Sequence, residues 1–162
     1  MEKRLNIRID LGRQSLTLLE GAREVRRYAV STAANGAGEQ NGSQCTPRGR
    51  HLIRAKIGAG QPSGTVFVAR RPTGEIYLPE LKAQYPHRDW ILTRILWLSG
   101  LEPGKNRLGD VDTLRRYIYI HGTPDETVLG KPGSHGCVRM ANRDIIELFD
   151  LVPVYTDVLI HE

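Results

Sequence analysis

Cysteine is nearly absent: two residues, Cys45 and Cys137, in a chain of 162. At most one disulfide can form, which excludes the cysteine-dense secreted scaffolds, and two unpaired thiols are predicted. No run of about 18 apolar residues exists, so no membrane-spanning helix is predicted. The longest candidate, Trp90 to Leu98, is interrupted by Thr93 and Arg94. The amino terminus lacks the apolar core of about 7–15 residues that a secretory signal requires. Apolar and polar residues alternate from Leu5, so the segment that Met1 heads reads as a strand. A cytoplasmic location is expected from this, with the periplasm the alternative for a chain that has lost a leader. Aromatic residues are sparse, 6%, and do not interleave with the short basic pairs Arg70-Arg71 and Arg115-Arg116. The net charge of +5 suits an anionic ligand. Without clustered, aromatic-flanked basic residues, nucleic-acid binding is not expected.

What is present suffices for one domain spanning 1–162, with an ordinary 40% of hydrophobic and 25% of charged residues. Leu5, Ile7 and Ile9 alternate with polar residues, a short turn follows, and Leu16 and Leu18 begin a second run. With Val25 to Ser31 these predict an antiparallel meander of three strands. Residues 33–50 are rich in Gly, Asn and Ser and predict a long loop. Further strands are predicted near 51–57, 65–69, 75–78 and 90–98, then over Tyr117 to Ile120, and a closing strand over Val154 to Ile160. One helix is well marked. Asn142 is placed to cap it, Asp144 favours its first turn, and Ile145, Leu148, Phe149 and Val152 form one apolar face before Pro153. The predicted fold is mainly β, a single-domain sandwich or partly open barrel with one or two peripheral helices.

Residues capable of chemistry concentrate between His121 and Met140. A thiol nucleophile needs a general base within hydrogen-bond reach, and the base needs an orienting partner. His121 ends a predicted strand, and Cys137 follows across a loop containing glycine and proline that can bring the two together. Gly136 leaves room for a substrate carbonyl, and the N–H groups of Gly136 and Cys137 could form an oxyanion hole. A tight turn over Ser134 to Cys137 would expose the sulfur. A cationic His121 or His135 beside it would lower the thiol pKa. Each residue also has a structural reading. Cys137 could be a small buried hydrophobe, His121 a core histidine, His135 a donor holding the loop, and Arg139 a partner for Asp144. Cys45 reads as an incidental loop thiol, and His51 and His87 as surface histidines. Zinc is the chemical rival, with His121, His135 and Cys137 as ligands and Cys45 or His51 as a fourth. No Cys-x-x-Cys or His-x-x-x-His pair exists to pin an ion, and neither metal nor cofactor is expected.

The string Ser134-His135-Gly136-Cys137-Val138-Arg139-Met140, preceded by Ile120-His121-Gly122-Thr123, resembles the signature of the YkuD-type L,D-transpeptidase catalytic domain. Val30-Ser31-Thr32 with Thr46-Pro47-Arg48-Gly49 resembles that family's strand and Thr-Pro-x-Gly turn. The helix from Asn142 to Leu151 and the final strand also fall where the family has them. The resemblance implies a β-rich fold and a two-step acyl transfer on peptidoglycan stem peptides or soluble muropeptides. Cys137 would attack the carbonyl at the L-centre of meso-diaminopimelate in a tetrapeptide stem, and D-alanine would leave, protonated by His121. The Gly122 carbonyl would orient His121, with His135 in the catalytic set and Ser134 and Arg139 binding substrate. Resolution of the thioester by water would make the chain an L,D-carboxypeptidase trimming soluble muropeptides in wall recycling, the outcome expected here. Resolution by the amine of another stem would make it an L,D-transpeptidase forming 3-3 cross-links. The reading from another class is a non-catalytic muropeptide- or zinc-binding module. The loop 33–45 is longer than the family's turn, and the loops 33–50 and 99–112 are expected to gate the acceptor.

Overall fold

The computed structural model describes residues 4–162, so the expectation that Met1 heads the first strand lies outside the described residues. β1 (Leu5–Asp10), β2 (Ser15–Glu20) and β3 (Arg23–Ser31) form the predicted antiparallel meander. Its period-two pattern puts Ile7, Ile9, Leu16, Leu18 and Val30 inside. The other strands are β4 (Gly49–Ile57), β5 (Thr65–Val68), β6 (Arg71–Ile76), β7 (Ile91–Gly100), β8 (Tyr119–Gly122), β9 (Val138–Met140) and β10 (Asp157–His161). They hydrogen-bond in the order β4-β10-β1-β2-β3-β9-β8-β7-β5-β6, and β4 also pairs with β7. That last pairing, from His51 opposite Gly100 to Ile57 opposite Ile95, closes a barrel and removes two open sheet edges. The hairpin β5–β6 extends outward from β7.

Boundaries differ from expectation where tertiary contacts override local preference. β6 starts at Arg71, ahead of the strand expected at 75–78. β8 starts only at Tyr119, because Tyr117 takes a left-handed φ of 56° that breaks the run. β9 was not expected; its three residues become strand because β3 and β8 pair with it on either side. α1 (Pro79–Gln84) has proline in its first turn and buries no side chain. α2 (Asn142–Leu151) lays Ile145, Leu148 and Phe149 onto the barrel core, and Val152 beyond its end joins them, so the predicted apolar face is the one that packs.

Asn142, expected to cap α2, does not: Ala141 holds the cap position without a side-chain bond. The Asn142 amide donates instead to the Thr123 carbonyl (2.9 Å) and Asp125 Oδ1 (3.1 Å), and its oxygen accepts the Thr93 hydroxyl (2.5 Å). Those three bonds fix the end of β8 against β7 and α2.

His51 was expected at the surface and is fully buried. Its Nδ1–H donates to the Gly49 carbonyl (3.0 Å) and its Nε2 lies 2.9 Å from the Thr113 hydroxyl. Burial pushes its pKa down to about 4. The folded state thus favours neutral His51, so its contribution is full above the ordinary histidine pKa of about 6.5 and is lost as pH falls toward 4. Wild type should lose about 3 kcal/mol more stability than His51→Gln between pH 7 and 4. Denaturant titrations of both proteins across that window check this; parallel curves would refute it.

Candidate active site

β8 and β9 lie side by side in parallel, with Ile120 opposite Val138 and His121 opposite Arg139. Alternation sends Ile120, Val138 and Met140 into the barrel core. Tyr119, His121, Cys137 and Arg139 line a cavity of about 460 Å³ on the other face. That volume falls in the usual range of about 300–1,000 Å³ for small-ligand sites. The sequence-predicted residues Ser134 and His135 line it too, as do Arg70, Asp89 and Arg116, which sequence reasoning missed.

His121 is buried, and its Nδ1 lies 2.6 Å from the Gly122 carbonyl oxygen. A carbonyl only accepts, so Nδ1 carries the proton and Nε2 keeps the lone pair of a base. Burial lowers the His121 pKa. The expected orienting role of Gly122 therefore has its geometry. Gly122 has to be glycine on steric grounds: a Cβ there would lie 2.7 Å from the Leu92 carbonyl oxygen and would run into the Asn142 side chain.

The Cys137 sulfur accepts the Tyr119 N–H at 3.3 Å and lies 3.4 Å from the Tyr117 carbonyl, its S–H partner. Contrary to the expectation of a lowered thiol pKa, burial pushes Cys137 up to about 12, outweighing the Tyr119 hydrogen bond and the more distant Arg139 and Arg116 charges. The resting pair is therefore neutral thiol and neutral imidazole. Attack by this thiol would release a proton, and His121, lining the same cavity, keeps a lone pair able to take one.

The turn before β9 holds itself together. The Ser134 hydroxyl donates to the Cys137 carbonyl (2.6 Å) and accepts the Gly136 N–H (3.2 Å). The Ser134 side chain, expected to bind substrate, is spent on shaping the turn that carries Cys137. The Gly136 N–H, expected in the oxyanion hole, is likewise engaged, which leaves the Cys137 N–H as the candidate donor. Gly136 takes a φ of 131°, and a Cβ on it would lie 3.3 Å from the Cys45 carbonyl oxygen. The Thr46 hydroxyl donates to the Gly136 carbonyl (2.9 Å) and accepts the Ala33 N–H (3.0 Å), which explains the Thr-Pro turn.

Arg139 does not pair with Asp144. It lies 3.7 Å from Asp89 and donates to the Gly133 carbonyl at 3.1 Å. Arg116 reaches under the 33–48 loop to the carbonyls of Gly38 (3.3 Å), Glu39 (3.2 Å) and Cys45 (2.6 Å) and to the Ser43 hydroxyl (3.4 Å). Cys45 thus bears on the site through its backbone, while both cysteines are free thiols. His135 is exposed at the rim. Among the described residues, no three of His, Cys, Asp and Glu gather as a metal would need. No helix among them is long and apolar enough to cross a membrane.

The family described as YkuD, L,D-transpeptidase catalytic domain, matches residues 5–160. The chain belongs to this family. Curated L,D-transpeptidase relatives include YkuD of Bacillus licheniformis, 46% identical over 46 residues, which is 28% of each chain. YqjB of Bacillus subtilis is 51% identical over 45 residues, 28% of this chain and 26% of that one. Among solved structures, L,D-transpeptidase 3 from Mycobacterium tuberculosis superposes with a TM-score of 0.60 at 14% identity, covering 99% of this chain and 62% of that one. An L,D-transpeptidase from Xylanimonas cellulosilytica gives 0.55 at 22% identity, with 99% and 62% covered. At such identities the superpositions establish a shared L,D-transpeptidase fold. The chain spans about 60% of these solved chains, and its matches span under a third of the curated relatives.

Proposed function

We propose that the chain is an acyl-transfer enzyme for peptidoglycan tetrapeptide stems, with Cys137 as nucleophile and His121 as its base. The observation that carries the reading is the pairing of these residues in one cavity, with His121 Nδ1 committed to the Gly122 carbonyl. In the first step the Cys137 sulfur bonds to the carbonyl carbon at the L-centre of meso-diaminopimelate as its proton passes to His121 Nε2. The C–N bond then breaks, and D-alanine leaves as the amine with that proton, giving a thioester. In the second step a nucleophile, deprotonated by His121, attacks the thioester, and Cys137 departs as the thiol.

Water is the acceptor we favour, which makes the enzyme an L,D-carboxypeptidase of soluble muropeptides; a cytoplasmic setting belongs to this proposal. Water needs no docking site beyond the cavity of about 460 Å³ at Cys137, whereas a second stem must also fit the adjoining cavity of about 330 Å³ that shares Asp89, His135 and Arg139. The 33–48 loop is held by four Arg116 hydrogen bonds, which opposes its withdrawal for a bulky acceptor. The rival outcome is 3-3 cross-linking, which the family's designation favours. Mass spectrometry of the enzyme with concentrated soluble tetrapeptide muropeptide separates the two. Tripeptide with free D-alanine is expected; cross-linked dimer as the main product would reverse the assignment.

A further inference from the structure

Three arginines line the cavity, and two are occupied. Arg139 has Asp89 and the Gly133 carbonyl, and Arg116 has the loop carbonyls. Arg70 has neither an acid nor a carbonyl among the described residues. Its guanidinium carbon lies 4.8 Å from the ring centre of Trp97 and 4.8 Å from that of Tyr117. Among the described residues its one hydrogen bond runs from Nη1 to the Tyr119 hydroxyl at 3.0 Å. The Tyr119 N–H in turn holds the Cys137 sulfur, so a single residue joins this guanidinium to the nucleophile.

The backbone supports a purpose for this placement. Val68 pairs with Arg71, so Ala69 and Arg70 alone make the β5–β6 turn, with φ values of 49° and 64°. A two-residue hairpin with both φ positive ordinarily takes Asn-Gly or Asp-Gly, because side chains with a Cβ are strained there. Strained backbone of this kind recurs where a side chain serves a site. Here it presents a planar, aromatic-held cation with most of its donors unspent. The Tyr119 hydroxyl accepts from Arg70 and keeps its own proton to donate.

We propose that Arg70 is the carboxylate anchor of the cleft: its guanidinium and the Tyr119 hydroxyl together take one carboxylate of the bound peptide and so set which carbonyl lies over Cys137. The fork geometry of arginine suits a carboxylate, and the aromatic faces hold it in place without neutralising it. The inference rests on the stem-peptide reading above, since that substrate carries several carboxylates near the bond to be cut.

The test is steady-state kinetics of wild type, Arg70→Asn and Arg70→Lys on the tetrapeptide stem and on analogues in which each carboxylate is singly converted to a carboxamide. Asparagine tolerates left-handed φ, so that variant should keep its melting temperature. Its KM should rise about tenfold or more while kcat changes less. Lysine keeps the charge but loses the fork and should restore only part of the affinity. One carboxamide analogue should be equally poor for wild type and Arg70→Asn, and it identifies the anchored carboxylate. An unchanged KM in Arg70→Asn, or the same deficit on every analogue, would overturn the assignment. A wild type that leaves every peptide intact would instead remove the stem-peptide reading, and this inference with it.

Discussion

Cys137→Ser is expected to lower turnover of a tetrapeptide stem by about a thousandfold or more, since loss of a covalent nucleophile leaves only binding and polar stabilisation. The protein should still fold. The serine hydroxyl can accept the Tyr119 N–H and donate to the Tyr117 carbonyl, the two bonds the thiol now makes. Cys137→Ala should lose activity to the same extent but also some stability, because those two backbone groups lose their partner, at about 1–3 kcal/mol for each one that water cannot reach. The two variants together separate chemistry from folding. Mass spectrometry adds a direct readout: a thioester adduct on the wild-type chain should be absent from both variants. Cys45 remains in each, so retained turnover or an adduct on Cys137→Ala would move the nucleophile elsewhere. The thiol's high pKa sharpens the expectation. With burial holding it near 12, alkylation of Cys137 should stay slow at neutral pH.

The pair at the centre was legible because its signals are local. A strand running into His121-Gly122 and a Ser-His-Gly-Cys turn are each written in consecutive residues, and a parallel pairing of short strands suffices to bring them to one cavity. The meander and the α2 face were legible for the same reason, since period two and period 3.6 are read within one element. The remainder depends on contacts between distant positions. Arg70 meets Tyr119 across 49 positions, Arg116 meets the Cys45 carbonyl across 71, and Thr46 meets Gly136 across 90. In the sequence the first two appeared only as members of short basic pairs. His51 looked like a surface residue because its partner Thr113 stands 62 positions away, in the segment after β7, the strand that pairs with β4. Asn142 was the right residue type at the right place for a cap, yet Thr93 and Thr123 offered it better partners. The thiol pKa was misjudged because the histidines near Cys137 in sequence suggested a cation, whereas burial, invisible in sequence, neutralises His121 and raises the thiol.

Gly122→Ala should be among the most damaging single methyl additions to this chain, in stability and in activity together. The added Cβ would fall 2.7 Å from the Leu92 carbonyl oxygen and 3.0 Å from Thr93 Cβ, besides meeting the Asn142 side chain. None of these can retreat cheaply. Leu92 is opposite Gly122 in the β7–β8 pairing, Thr93 is fully buried, and Asn142 is held by Thr93, Thr123 and Asp125. Overpacking of this kind costs about 1–3 kcal/mol. In a domain of this size that is a fall of roughly 3–10 °C in melting temperature. The effect on catalysis follows from the same displacement. Among the described residues, the Gly122 carbonyl carries the only hydrogen bond to the His121 ring, so a shift of a few tenths of an ångström in β8 would misaim the proposed base. The fall in kcat should therefore persist at temperatures where the variant is fully folded. Calorimetry checks the first half, and kinetics well below the variant's melting point check the second. A melting temperature within about 1 °C of wild type would mean that the β7–β8 seam yields more easily than its bonding suggests. A normal kcat in the folded variant would show that His121 does not depend on Gly122 for its orientation.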